Sequence, residues 1–158
     1  MSTPLIGHRL VHLSLLDTNL QNRLVNRIMK DHGFDHDLSM RILDQAIGFL
    51  RLAAIKPSAH HSPSSMVDIG WHTFILYTRS YDDFCRKLTG GRFIHHEPTD
   101  DPSVPNLSKG PLATAKAMRQ AGLAVDDELW VANHSDCSDC SASDGDGDQG
   151  CQCGSCNY

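Results

Sequence analysis

The chain has 158 residues, of which 40% are hydrophobic and 21% charged, and its formal net charge is -5. That length and balance suit one globular domain with a core of its own. The acidic balance argues against nucleic acid as the main partner, because phosphate binding needs a basic face. For the same reason it disfavours an anionic membrane surface.

The first residues, MSTPLIGHRLVHLSLLDTNL, contain no basic segment followed by an unbroken apolar run, so they do not read as a signal peptide. No stretch approaches the roughly 18 apolar residues that would span a bilayer. A cytoplasmic location is therefore expected. Cytosolic thiols stay mostly reduced, so the six cysteines point to metal or redox chemistry before structural disulfides.

The first helical pattern runs from about His8 to Asp31. Leu13, Leu16, Leu20, Leu24 and Ile28 recur at three- and four-residue steps and form one apolar stripe. Asp17 and Thr18 interrupt it, which allows two helices with a cap between them, and Gly33 is a good terminator. A second helix is expected from about Leu38 to Ile55, capped by Asp37 and ended by Pro57. Leu38, Ile42, Ala46, Phe49 and Ala53 share its apolar face.

KPSAHHSPSS is a loop by composition, with His60 and His61 expected in solvent. The third helix opens on Ser65 and Asp68, which have capping-box spacing. Trp71, Phe74, Ile75, Thr78, Tyr81, Cys85 and Leu88 follow at helical steps, and Gly90 with Gly91 stops the run. RFIHHEP and a polar, Pro-rich loop lead to a shorter helix over Pro111 to Gln120, with Gly122 past its end. Val125 to Val131 fits one more turn. Trp71 and Trp130 read as core residues.

After Asn133 the composition changes. The last 25 residues hold five cysteines and no large aliphatic residue, so they cannot build a core and should be ordered only by a metal or a covalent link. Residues 1–133 thus read as a helical domain and 134–158 as a Cys/Gly/Asp-rich tail. Cys137 and Cys140 form a CxxC pair, and Cys151, Cys153 and Cys156 form CxCxxC. CxxC spacing lets two thiolates reach one tetrahedral ion at about 2.3 Å from each sulfur. Zinc or another soft metal is the expected ligand. The ten-residue gap between Cys140 and Cys151 is shorter than a zinc-ribbon spacing and lacks apolar support. Asp144, Asp146 and Asp148 suggest a calcium loop, but Gln149 stands where Gly is needed and Ser155 where Glu is needed.

Within the domain, Asp68 and His72 lie one helical turn apart on one face, which suits a shared metal or a carboxylate orienting an imidazole. His95 and His96 would point to opposite sides if extended, so only one of them normally joins a given site. The reversal at Gly90 and Gly91 allows a metal site from Asp68, His72 and either His95 or His96. Cys85 is thirteen residues beyond His72, roughly 20 Å along a continuous helix. It reads as a small buried apolar residue.

The stretch from Val67 to Pro98, VDIGWHTFILYTRSYDDFCRKLTGGRFIHHEP, follows a pattern VDxxWHxFILxTxxYxxFCxxxxGxFIHHxP. Asp68, Trp71, His72, Thr78, Tyr81, Cys85, His95, His96 and Pro98 stand at its matching positions, and the doubled Gly90-Gly91 departs from it. This block resembles bacterial proteins labelled glycine-rich domain-containing. TAKAMRQAGLAVDDELW followed by DCSDC is similar to the C-terminal part of actinobacterial members. The resemblance covers the second half of the chain and implies a cytoplasmic bacterial setting without an established activity.

No phosphate loop, nucleophile elbow or HExxH motif is present. The resulting expectation is an all-α protein, a small bundle of about four helices with a Cys-rich tail, whose biochemical property is metal binding, zinc first. A ribosomal peptide precursor modified on its tail is one alternative. A second is an adaptor that contacts another protein through the tail, and a third is an enzyme using His72 with His95 or His96.

Overall fold

The computed structural model describes residues 10–97, 103 and 106–131. They are all-α, with no strand among the described residues. A 3-10 turn at His12–Leu15 precedes α1 (Thr18–His32), α2 (His36–Ile55), α3 (Ser65–Ile75), α4 (Thr78–Thr89) and α5 (Pro111–Gln120). A second 3-10 turn follows at Asp127–Leu129. The Cys-rich tail and the five thiols expected to hold zinc there lie outside the described residues.

The first apolar stripe behaves as its spacing predicts. Leu13, Leu16, Leu20, Leu24 and Ile28 are all buried, and the interruption at Asp17 is a true N-cap, its carboxylate accepting from Leu20 N at 2.9 Å. Gly33 ends α1 in the left-handed region at φ 71°, where its N–H reaches Met29 O. The cap of α2 is Asp35, two residues before the Asp37 expected, and accepts from Leu38 N.

Helix α2 is the axis of the domain, because its central stretch is covered on every side. Ile42, Leu43, Ala46, Ile47, Phe49 and Leu50 are buried, and so are Asp44, Gln45 and Gly48 between them. The buried polar pair is possible because it is satisfied. Asp44 Oδ1 accepts from His12 N at 2.7 Å and Leu13 N at 3.1 Å. Gln45 Oε1 accepts from Trp130 Nε1 at 2.9 Å and Asp126 N at 3.1 Å. One helix thereby anchors both the first turn and the last. Arg41 adds a bidentate pair to Asp126 and a contact to Glu128, and these carboxylates raise its pKa above the ordinary guanidinium value.

The third helical pattern divides. Helix α3 ends at Ile75, α4 begins at Thr78, and Leu76 and Tyr77 form the break. A single helix over the whole run would set Trp71 and Tyr81 about 15 Å apart along the axis. Instead Trp71 Nε1 donates to Tyr81 Oη at 2.8 Å, and Phe74 meets the Tyr81 ring edge-on at 5.2 Å. Helix α4 therefore turns back over the face of α3. Thr78, expected on the apolar seam, is exposed as a result. The α3 cap is Ser64, which accepts from Val67 N and donates to Leu129 O at 2.5 Å. Asp68 thus falls one position beyond the place a capping box needs, and its carboxylate is left for other partners.

Candidate metal centre

Helix α3 presents Asp68 and His72 on one side, at i and i+4. The pair meets, with His72 Nδ1 3.0 Å from Asp68 Oδ2. The other carboxylate oxygen, Oδ1, lies 3.1 Å from His96 Nε2. His96 arrives from the chain after α4, and its placement follows from the fold of that segment. Gly90 ends α4 at φ 77° and turns the chain back. Tyr81 Oη, which accepts from Trp71, donates to Ile94 O at 2.8 Å and pins the segment beside α3. Ile94 is buried, and the extended chain then alternates, with His95 outward and His96 inward.

The three groups form a compact triad. One ligand atom from each of Asp68, His72 and His96 lies within 4.8 Å of the others, and the two imidazole rings are 4.3 Å apart. Tetrahedral coordination at about 2.0–2.2 Å sets donor atoms roughly 3.3 Å apart, close to the 3.0 and 3.1 Å that separate the Asp68 oxygens from His72 Nδ1 and His96 Nε2. Trp71 backs the site, its ring 4.3 Å from that of His96. The His96 side chain is 17% exposed and that of His72 is 59% exposed, so the triad opens to solvent on the His72 side.

His95 takes no part in this triad. It packs edge-on against Phe93 at 4.8 Å and lines a cleft together with Phe49 and Trp71. His60 is exposed as expected, but His61 is not. It is half-buried, and its Nε2 is enclosed with no hydrogen-bond partner. Burial, with Lys56 and His60 nearby, pushes its pKa below the ordinary imidazole value.

Cys85 is also outside the triad. The 20 Å separation from His72 expected of a continuous helix does not hold, since the helix breaks. The thiol is nevertheless sealed in the core beside Tyr81 and the Ile94 backbone. Burial pushes its pKa up, which keeps it protonated and unreactive. Iodoacetamide at pH 8 should label Cys85 at least tenfold more slowly in the native protein than in urea, as read by peptide mass spectrometry. Equal rates would mean that the core opens there.

A family model described as UCP032817-like matches residues 10–120, which include the whole triad. No curated protein and no solved structure matches the chain. No helix among the described residues is long and apolar enough to cross a membrane.

Proposed function

Starting from a chain that belongs to the UCP032817-like family, a description that assigns no activity, we propose that the protein binds a divalent metal ion through Asp68, His72 and His96. The observation that carries this reading is the convergence of two imidazoles and one carboxylate from distant parts of the sequence. Two histidines and a carboxylate are a donor set suited to zinc, and three protein ligands leave a fourth position open. Solvent access on the His72 side supplies that position. The block of residues 67–98, with its resemblance to bacterial glycine-rich domain-containing proteins, carries all three ligands. That likeness supports a bacterial cytoplasmic setting for the same reading.

The test is metal content by elemental analysis of full-length protein purified without chelator, beside two variants. One is His72→Ala, whose exposed side chain can be removed without unfolding the domain. The other replaces Cys137, Cys140, Cys151, Cys153 and Cys156 by Ser. One metal per chain is expected in the wild type and in the Ser variant. His72→Ala should lose affinity by more than the about 10–100-fold that removing an outer-shell partner costs. Metal kept by His72→Ala and lost by the Ser variant would place the site in the tail thiolates and overturn this reading. Absence of metal from all three, with no uptake of added zinc, would leave Asp68 as a carboxylate accepting two imidazole N–H bonds.

A further inference from the structure

Trp71, whose ring lies 4.3 Å from that of His96, also lines a cleft of about 440 Å³, a volume within the range of small-molecule sites. Its apolar wall is made by Phe49 and Ala53 of α2, Trp71 of α3, and Phe93 with Ile94 of the returning segment. Lys56 and Arg92 also line it, and among the described residues no aspartate or glutamate does. In a chain of net charge -5, a concavity with two cations and no carboxylate among the described residues is a local inversion of sign. Neither Lys56 nor Arg92 has an ion-pair partner among the described residues. His61 also lines the cleft, and its Nε2 is the buried polar side-chain atom without a partner among the described residues. A buried polar atom in that state is costly unless something supplies a hydrogen bond.

We propose that this cleft binds a small organic anion, a carboxylate carried on an aromatic or branched aliphatic body. The apolar body lies against Phe49, Trp71 and Phe93, and the carboxylate meets Lys56 and Arg92. The acidic tail of the same chain fits less well. It has the aspartates for the two cations, but Tyr158 is the only large apolar side chain beyond Asn133 to set against the wall.

The experiment is a titration of the full-length protein, followed by nitrogen–proton NMR of the Trp71 indole and the Phe93 and His61 amides. The probes are phenylacetate, indole-3-acetate and 4-methylpentanoate, with phenylacetamide as the neutral control. Saturable shifts at these residues are expected with the acids. Phenylacetate should bind about tenfold more tightly than its amide, as charge-assisted hydrogen bonds imply. The double variant Lys56→Ala, Arg92→Ala should lose that preference. His72→Ala should retain it, which separates this site from the metal site. No saturable shift with any of the three acids, or equal binding of acid and amide, overturns the proposal. Binding that emerges only when Asp136, Asp139, Asp144, Asp146 and Asp148 are changed to Asn would identify the tail as occupant, and would overturn it too.

Discussion

Replacing Asp44 by Ala is expected to destabilise the protein by about 3 kcal/mol, with Tm falling by roughly 6–12 °C. Asp44 is 1% exposed, and its Oδ1 is the acceptor for two consecutive backbone N–H groups, those of His12 and Leu13. Its other oxygen accepts from Gln45 Nε2 at 3.2 Å. Alanine leaves both N–H groups without their acceptor inside the domain, and each orphaned group costs about 1–3 kcal/mol. The first turn, with Leu13 in the core, should detach. Asp44→Asn keeps a carbonyl oxygen in the same place and should cost clearly less. Thermal melts followed by circular dichroism give the comparison. A loss below about 1 kcal/mol for Asp44→Ala would show that the two N–H groups find other acceptors.

Tyr81→Phe should act on both stability and metal affinity. The hydroxyl accepts from Trp71 Nε1 and donates to Ile94 O, each at 2.8 Å. Burial raises the Tyr81 pKa, so the hydroxyl keeps the proton it gives to Ile94. Phenylalanine fills nearly the same volume but leaves a buried donor and a buried acceptor unpaired, at about 2–4 kcal/mol together. The segment that carries His96 also loses its tether to α4. Zinc affinity should therefore fall by about 10–100-fold, the range expected when a group that orients a ligand is removed. Urea unfolding gives the first quantity and zinc competition titration the second. Lower stability with unchanged affinity would restrict Tyr81 to a role in the fold.

Much of the architecture was legible because its signals are local. The stripe from Leu13 to Ile28 and the limits of α5 at Pro111 and Gln120 depend on short-range periodicity and caps, and both stand as expected. The burial of Asp44 and Gln45 was not legible. Periodicity assigns polar residues to the solvent side, and it cannot register a helix that has no solvent side. The break at Leu76 and Tyr77 carries no glycine or proline, so the run from Ser65 to Leu88 reads as continuous. The candidate site was half legible. The i, i+4 relation of Asp68 and His72 is intrinsic to a helix, whereas the choice of His96 over His95 depends on Tyr81 reaching Ile94. That contact exists only because α4 folds back.

His12 Nε2 rests 2.9 Å from Ala124 O, across 112 positions of sequence, whereas the His96–Asp68 contact spans 28. Loop-closure entropy grows with the logarithm of the span, so drawing in the longer loop costs about 1.2 kcal/mol more than the shorter. Among the described residues the domain is in this sense a ring whose clasp is its longest-range hydrogen bond, and the triad lies within a shorter, separately closed loop. Breaking the clasp alone would leave the first turn on Asp44, the last on Gln45, and Asp68 in contact with His72 and His96.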